Sequence, residues 1–336
     1  MAQASSRRKA KNASQTGIIP LGHDHQRMLS AIMQTWILIT FCSAFLQNLR
    51  SVFQKQLKTK MGTTGATFVR FGFGVPFSLL YLGLQIFVLK DPLPTPNWSF
   101  ALWEVVGAVS QIMATFILVH MFSLRNFAVG TAYSRTEPAQ AALFALIFLG
   151  ERVNIPTMLA ISITVVGVML ISVARTDISW KSLGVSISSR TSLLGLLSGT
   201  LFGLSAVAYR SASLSLASSL PVPNYIMQAS YTATVVIVLQ TAIMLIWIIL
   251  REPGELVKIR KAWALSLAVG FVGATGSFGW FMAMTLQQAA IVKALAQVEM
   301  LFTFASSVFI FKEEINRYEL AGCLLIVFGI LALLLV

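Results

Sequence analysis

From about residue 31 to its last residue the chain is a succession of long apolar runs, each ended by a short cluster of charged, proline or glycine residues. The runs extend over about 31–53, 64–89, 99–122, 127–149, 155–174, 191–217, 224–250, 262–285, 288–311 and 316–336. A helix that crosses a bilayer needs about 20 mostly apolar residues at a rise of 1.5 Å each. Each run has that length, so the pattern predicts ten transmembrane helices in an all-α integral membrane fold. The breaks carry loop chemistry: Lys90-Asp91-Pro92 with Pro94 and Pro96, Gly150-Glu151-Arg152, Arg175-Thr176-Asp177, Pro221-Val222-Pro223, and Arg251-Glu252-Pro253-Gly254. Residues 1–30 are polar and basic without periodicity and read as a tail. The first apolar run is too long for a cleaved leader, which predicts an uncleaved first helix.

Composition sharpens this picture. The 336 residues are 56% hydrophobic and only 11% charged, with a mean hydropathy of +0.78. That excludes a soluble enzyme domain. The formal charge of +13 would suggest nucleic acid in a soluble protein. Here the cations gather in the tail and at the ends of apolar runs, where they set membrane orientation, and no nucleic-acid partner is expected. Cys42 and Cys323 both lie in apolar runs and neither cysteine pairs nor Cys/His spacings suggest a disulfide framework or a metal site. No metal and no cofactor are expected. The sequence contains no HExxH, GxSxG or Walker pattern, so an enzyme is not indicated.

The two halves resemble each other. At an offset of 160 residues Arg50-Ser51 falls on Arg210-Ser211; at 162, Glu137, Glu151, Asn154 and Gly167 fall on Glu299, Glu313, Asn316 and Gly329. The weight rests on the letters that are rare in apolar sequence. The expected organisation is a tail (1–30), a five-helix repeat (31–174), a linker (175–190) and a second five-helix repeat (191–336). An odd number of crossings per repeat inverts the second against the first, the plan of secondary transporters with a substrate site near the midplane.

Thr136-Glu137-Pro138 followed by an apolar run into Leu149-Gly150-Glu151-Arg152, then a helix with Gly167, resembles the EamA-type transporters of the drug/metabolite transporter superfamily. So do Arg70-Phe71 and Phe311-Lys312-Glu313-Glu314. The likeness spans about residues 31–336. It implies ten helices and an exporter or permease of small metabolites, often amino acids, driven by an ion gradient or by the substrate's own gradient. The chain departs from the pattern in its second repeat, with Met300 in the place of Pro138 and Lys312 in that of Gly150.

Ionisable residues inside a membrane are costly and mark candidate sites. Glu137 and Glu299 lie near the centres of their runs, where each either binds a proton, cation or amine or pairs with a neighbouring cation. Arg135 is two residues from Glu137 and on an unbroken helix would project about 200° away from it. Its repeat mate is Gln297, with Lys293 one turn earlier. Arg135, Lys293 and Gln297 are therefore candidates for a cavity face that attracts a carboxylate, the alternative being pairing with Glu104 or Glu137. Tyr133, Tyr231 and Trp280 are candidate substrate contacts; Gln47, Gln111 and Tyr209 lie at cavity-compatible positions. Arg50 and Arg210 read as snorkelling to headgroups, Arg70 is ambiguous, Glu104 reads as interfacial, and Glu151 and Glu313 as turn anchors. Gly195, Gly199 and Gly203, and Gly270, Gly273, Gly276 and Gly279, predict close helix crossings.

These residues favour a secondary transporter of amino acids or related carboxylates, because basic candidates outnumber acidic ones. A proton-coupled exporter of lipophilic cations is the alternative within the class; a channel or sensor is the alternative outside it. The expected partners are a small-molecule substrate, the bilayer and protons, in a monomer or homodimer. Family likeness and the basic tail put both termini in the cytoplasm of a cell membrane protein, although Lys55, Lys58, Lys60, Arg251, Lys258, Arg260 and Lys261 then lie outside, against the positive-inside bias.

Overall fold

Apolar runs with few breakers become helices whose large side chains point outward. In the computed structural model, which describes residues 22–121, 124, 130, 133–174, 190–309 and 317–335, Phe87 is 72% exposed and Trp98 82%, and Leu79, Leu80, Ile147, Trp247, Ile249 and Phe328 are also exposed. A protein dissolved in water does not present so many large apolar groups; a lipid-facing surface does. Trp98 and Trp263, at the first residues of two long helices, stand where an aromatic belt meets headgroups.

The described helices are α1 Gly22–Leu57, α2 Thr63–Gly72, α3 Val75–Gly83, α4 Trp98–Met121, α5 Glu137–Leu149, α6 Ile155–Ala174, α7 Arg190–Ser215, α8 Tyr225–Arg251, α9 Gly254–Lys261, α10 Trp263–Leu286, α11 Ala289–Leu295, α12 Val298–Phe309 and α13 Arg317–Leu335. No strand occurs among the described residues. Among the described residues, seven spans are long and apolar enough to cross a membrane. The remaining apolar segments are shorter helices: α5, α6 counted to Ile171, and the pair α11 and α12.

Several expectations change. The chain divides into Met1–Thr35 and Trp36–Val336; within the first unit helix begins at Gly22, where a tail to residue 30 was expected. Asp24 near the helix start and the good formers Gln26, Arg27, Met28 and Leu29 explain that extension. The linker 175–190 lies outside the described residues save Arg190, as does Glu313. Run 64–89 is broken at Phe73-Gly74, where Pro76 lacks an N–H and Val75 starts a new helix; α3 then ends in a wider turn in which Leu89 N–H donates to Leu84 O at 3.1 Å. The loop after α8 contains the short amphipathic α9, tied back when Gly62 N–H donates to Glu255 Oε2 at 2.7 Å.

Close backbone approaches order the bundle. A Cβ on Gly195 would meet the backbone O of Gly130 at 2.1 Å, and one on Gly199 the O of Ser134 at 2.8 Å. Without a hydrophobic drive between lipid-embedded helices, such contacts supply the packing energy. Several buried hydroxyls are satisfied within their own helices: Thr40 bonds Trp36 O, Thr232 Gln228 O and Thr285 Phe281 O.

The contact of α6 with α13 is reciprocal. Gly167 abuts Ile326, and Gly329, the repeat mate of Gly167, abuts Thr164, the mate of Ile326. Moving along α6 from Ala160 to Ile171, the partner on α13 retreats from Gly329 to Gly322. Helices in corresponding places of the two halves thus run antiparallel against each other.

Candidate functional site

Two helices are interrupted at equivalent positions, and the interruption builds a site. Thr136 N–H donates to Tyr133 O and Ala139 N–H to Thr136 O before α5 resumes at Glu137; Gln297 N–H donates to Ala294 O and Met300 N–H to Gln297 O around the start of α12. Pro138 sits at the first break, but Met300 occupies its place at the second, so proline alone does not cause the pattern. Irregular backbone at membrane depth is tolerated where it is buried in protein or lines a cavity. Here both breaks border a narrow cavity, to which α1, α2, α4, α7, α10, α11 and α12 also contribute.

The cavity wall is charged. Arg50, Arg70, Arg135 and Lys293 face it with Glu137 and Glu299, four cations against two carboxylates. The pairing crosses between the halves. Arg135 Nη1 lies 2.9 Å from Glu299 Oε2 and Nη2 3.4 Å from Oε1, a forked geometry suited to a guanidinium; Gln47 Nε2 donates to the same Oε2 at 3.1 Å. Lys293 Nζ lies 2.8 Å from Glu137 Oε1, as an ion contact that is not aligned as a hydrogen bond, and 5.0 Å from the centre of the Trp280 ring. Arg50 is within electrostatic reach of Glu299, so one carboxylate serves two guanidiniums. Arg70 Nη1 donates to Thr115 Oγ1 at 2.8 Å. The Nε of Arg50, the Nε of Arg70 and the Nε1 of Trp280 are buried without a hydrogen-bond partner, a cost that a bound acceptor would remove.

Beside this cluster, Tyr209 stacks on Phe281 with ring centres 4.6 Å apart. Its hydroxyl lies 2.8 Å from Gly107 O and 3.1 Å from Gln111 Oε1, and Gln240 Nε2 donates to both the Tyr209 hydroxyl and Gln111 Oε1.

Of the residues singled out from sequence, Arg135, Lys293, Trp280, Glu137 and Glu299 line this cavity together. Gln297, Tyr133 and Tyr231 are not on its wall. Gln297 stands behind it, its Nε2 donating to the carbonyl of its own repeat mate, Arg135, at 3.3 Å. Tyr133 is buried. Tyr231 packs on Phe100, ring centres 5.5 Å apart, in a separate apolar cluster. Glu137 shares the cavity with Arg135 because the backbone breaks at Thr136; the 200° separation of an unbroken helix does not apply.

Arg50 does not snorkel: it is 5% exposed and faces the cavity. Arg210 is also inward, its Nε 2.8 Å from Glu151 Oε1 and its Nη1 bonded to the carbonyls of Met284 and Gln287. Arg70 joins the site, and Glu104 is buried in protein with no exposure to an interface. The signal for these was a polar stripe on otherwise apolar helices, as in Gln47, Arg50 and Gln54 or Glu104, Gln111 and Thr115, spaced by three, four or seven residues. Among the described residues no group of three His, Cys, Asp or Glu side chains is placed to hold a metal ion.

Membrane-crossing helices in two related halves around a buried charged cavity define a polytopic transport protein. The chain matches the EamA-like transporter family over residues 34–173 and 189–335. It belongs to that family and is a multi-pass membrane transporter of the drug/metabolite transporter superfamily. A solved structure, described only as a crystal structure of a protein, shares the fold with a TM-score of 0.63 at 17% identity, covering 89% of this chain and 96% of that one. A comparison with curated proteins gives no match.

Proposed function

We propose that this transporter carries small metabolites bearing a carboxylate, amino acids or related acids, as a secondary exporter working by alternating access around the cavity described above. The observation that carries this reading is the excess of cations over carboxylates on the cavity wall. Glu137 and Glu299 are already matched by Lys293 and Arg135, which leaves Arg50 and Arg70 as the charges that an anionic substrate would complete. Trp280, Tyr209 and Phe281 offer an apolar wall to the rest of the molecule. A lipophilic cation is less suited, because it would have to displace a lysine or an arginine from its glutamate.

The proposed architecture is ten crossings in two inverted halves, 31–174 and 191–336, with the substrate near the midplane. The antiparallel, reciprocal contact of α6 with α13 supports the inversion, and the meeting of Arg135 with its own mate Gln297 agrees with it, since residues exchanged by a two-fold meet where its axis passes. Arg210 supports alternation: it ties α7 to Glu151 and to the end of α10, and opening that end would require these bonds to part. Both termini are proposed to be cytoplasmic in a cell membrane.

The test is uptake of amino acids, organic acids and organic cations into liposomes holding the purified chain, with and without an imposed pH gradient. Accumulation of acids above empty liposomes is the expected result. Accumulation of cations alone would reverse the substrate assignment, and ion currents far above carrier turnover would replace transport by conduction.

A further inference from the structure

Among the described residues near the cavity, one buried carboxylate takes no part in the charge network. Glu104, on the second turn of α4, is 2% exposed, and neither of its carboxylate oxygens has a hydrogen-bond partner. Every other buried carboxylate near the cavity is held by a cation from the opposite half. A charged carboxylate in such a place would cost several kcal/mol, and no described side chain supplies its counter-charge.

The groups around it are named element by element. From α7 comes Tyr209 and from α8 Tyr231, both within electrostatic reach. Phe100, Ala212 and Leu216 form an apolar cluster at the same end of α4, with Trp103 packed against it. From α2 comes Arg70, which meets α4 at Thr115, about 16 Å farther along the helix axis. Arg210, next to Tyr209 in sequence, is committed to Glu151.

Glu104 lies close behind the cavity wall without being bonded to it. One turn along its helix, Gly107 O accepts from the Tyr209 hydroxyl, and Tyr209, Gln111 and Gln240 form a continuous hydrogen-bonded chain whose first two members line the cavity. The Tyr209 hydroxyl is at the cavity wall and donates to Gly107 O; turned from that carbonyl to the carboxylate, it would hand Glu104 a proton.

We infer that Glu104 is the proton-binding site that couples transport to a pH gradient, reached from the cavity through Tyr209. The proton comes from water on the side to which the cavity opens and forms an O–H bond on one carboxylate oxygen; the neutral acid carries it through the conformational change and releases it to water on the other side. No electrons move. This extends the carboxylate-transport reading, and it moves coupling away from Glu137 and Glu299, whose charges are already balanced.

The full chain in liposomes provides two readouts. Infrared difference spectra against pH should show the carbonyl stretch of a carboxylic acid in the wild type, shifted in Glu104→Asp and missing in Glu104→Gln. An internal pH dye should report proton flux accompanying uptake in the wild type and in Glu104→Asp, at least tenfold smaller in Glu104→Gln, while exchange of labelled against unlabelled substrate stays within about twofold because it needs no net proton movement. A band or a flux that Glu104→Gln leaves unchanged overturns the inference. Should that variant not fold, a wild-type band that does not shift in Glu104→Asp overturns it equally. If the assigned band is present but no acid is carried, the carboxylate reading fails and the proton site stands.

Discussion

Arg50 and Arg210 occupy the same position in the two halves, yet their surroundings differ. Arg210 is bonded to Glu151 and to the carbonyls that end α10, while Arg50 faces the cavity with its Nε unpartnered and shares Glu299 with Arg135. The same asymmetry appears in the ion pairs: Arg135 grips Glu299 by a fork, whereas Lys293 touches Glu137 at one point and leans on Trp280. A two-fold repeat that were symmetric in its contacts would have no preferred opening. In the proposed cycle, this different use of equivalent residues would give one half a latch and the other a binding face.

Five substitutions, one of them also tested with a second-site partner, break or sharpen this comparison. Gly195→Leu should have the largest effect, because its side chain would be driven into the Gly130 backbone; no folded protein is expected on size-exclusion chromatography, a loss above about 4 kcal/mol. Arg135→Gln should follow, since it takes the forked partner from the 2% exposed Glu299 and leaves it Gln47 and Arg50, and removing one partner of a buried pair costs up to about 3–5 kcal/mol; a lowered Tm in detergent checks it, and adding Glu299→Gln should recover part of the loss. Lys293→Gln should cost about 1–3 kcal/mol and change Trp280 fluorescence, as its contact is single and its partner Glu137 less deeply buried. Arg50→Gln should shift Tm least while weakening substrate binding at least tenfold, whereas Arg210→Gln should shift Tm strongly; equal behaviour of the two arginines in both assays would remove the asymmetry.

Much of the fold could be read from periodicity and length. Run 155–174 coincides with α6, and runs 224–250 and 262–285 fall within one residue of α8 and α10, because apolar length and flanking breakers settle such helices locally. The second broken helix was not legible: residues 288–311 read as a continuous apolar run, and nothing in Gln297-Val298-Glu299-Met300 interrupts a helix by itself. The break is a tertiary effect, set by the cavity that the other helices enclose. The site was legible as a set of expensive charges, but not as a pattern of partners. Sequence spacing on a continuous helix placed Arg135 and Glu137 on opposite faces, and only the break lets both face the cavity. The short helix α9 was hidden for the opposite reason, its polar and basic residues lacking any long apolar stretch.

The cationic cavity is proposed to select a carboxylate. The direct measurement is liposome uptake of matched pairs of compounds, each acid against its uncharged amide, by the wild type and by Arg50→Gln. The wild type should carry the acids and exclude the amides, and Arg50→Gln should lose most of that preference while remaining folded. Equal uptake of acid and amide by the wild type, or a preference unchanged in Arg50→Gln, would contradict it.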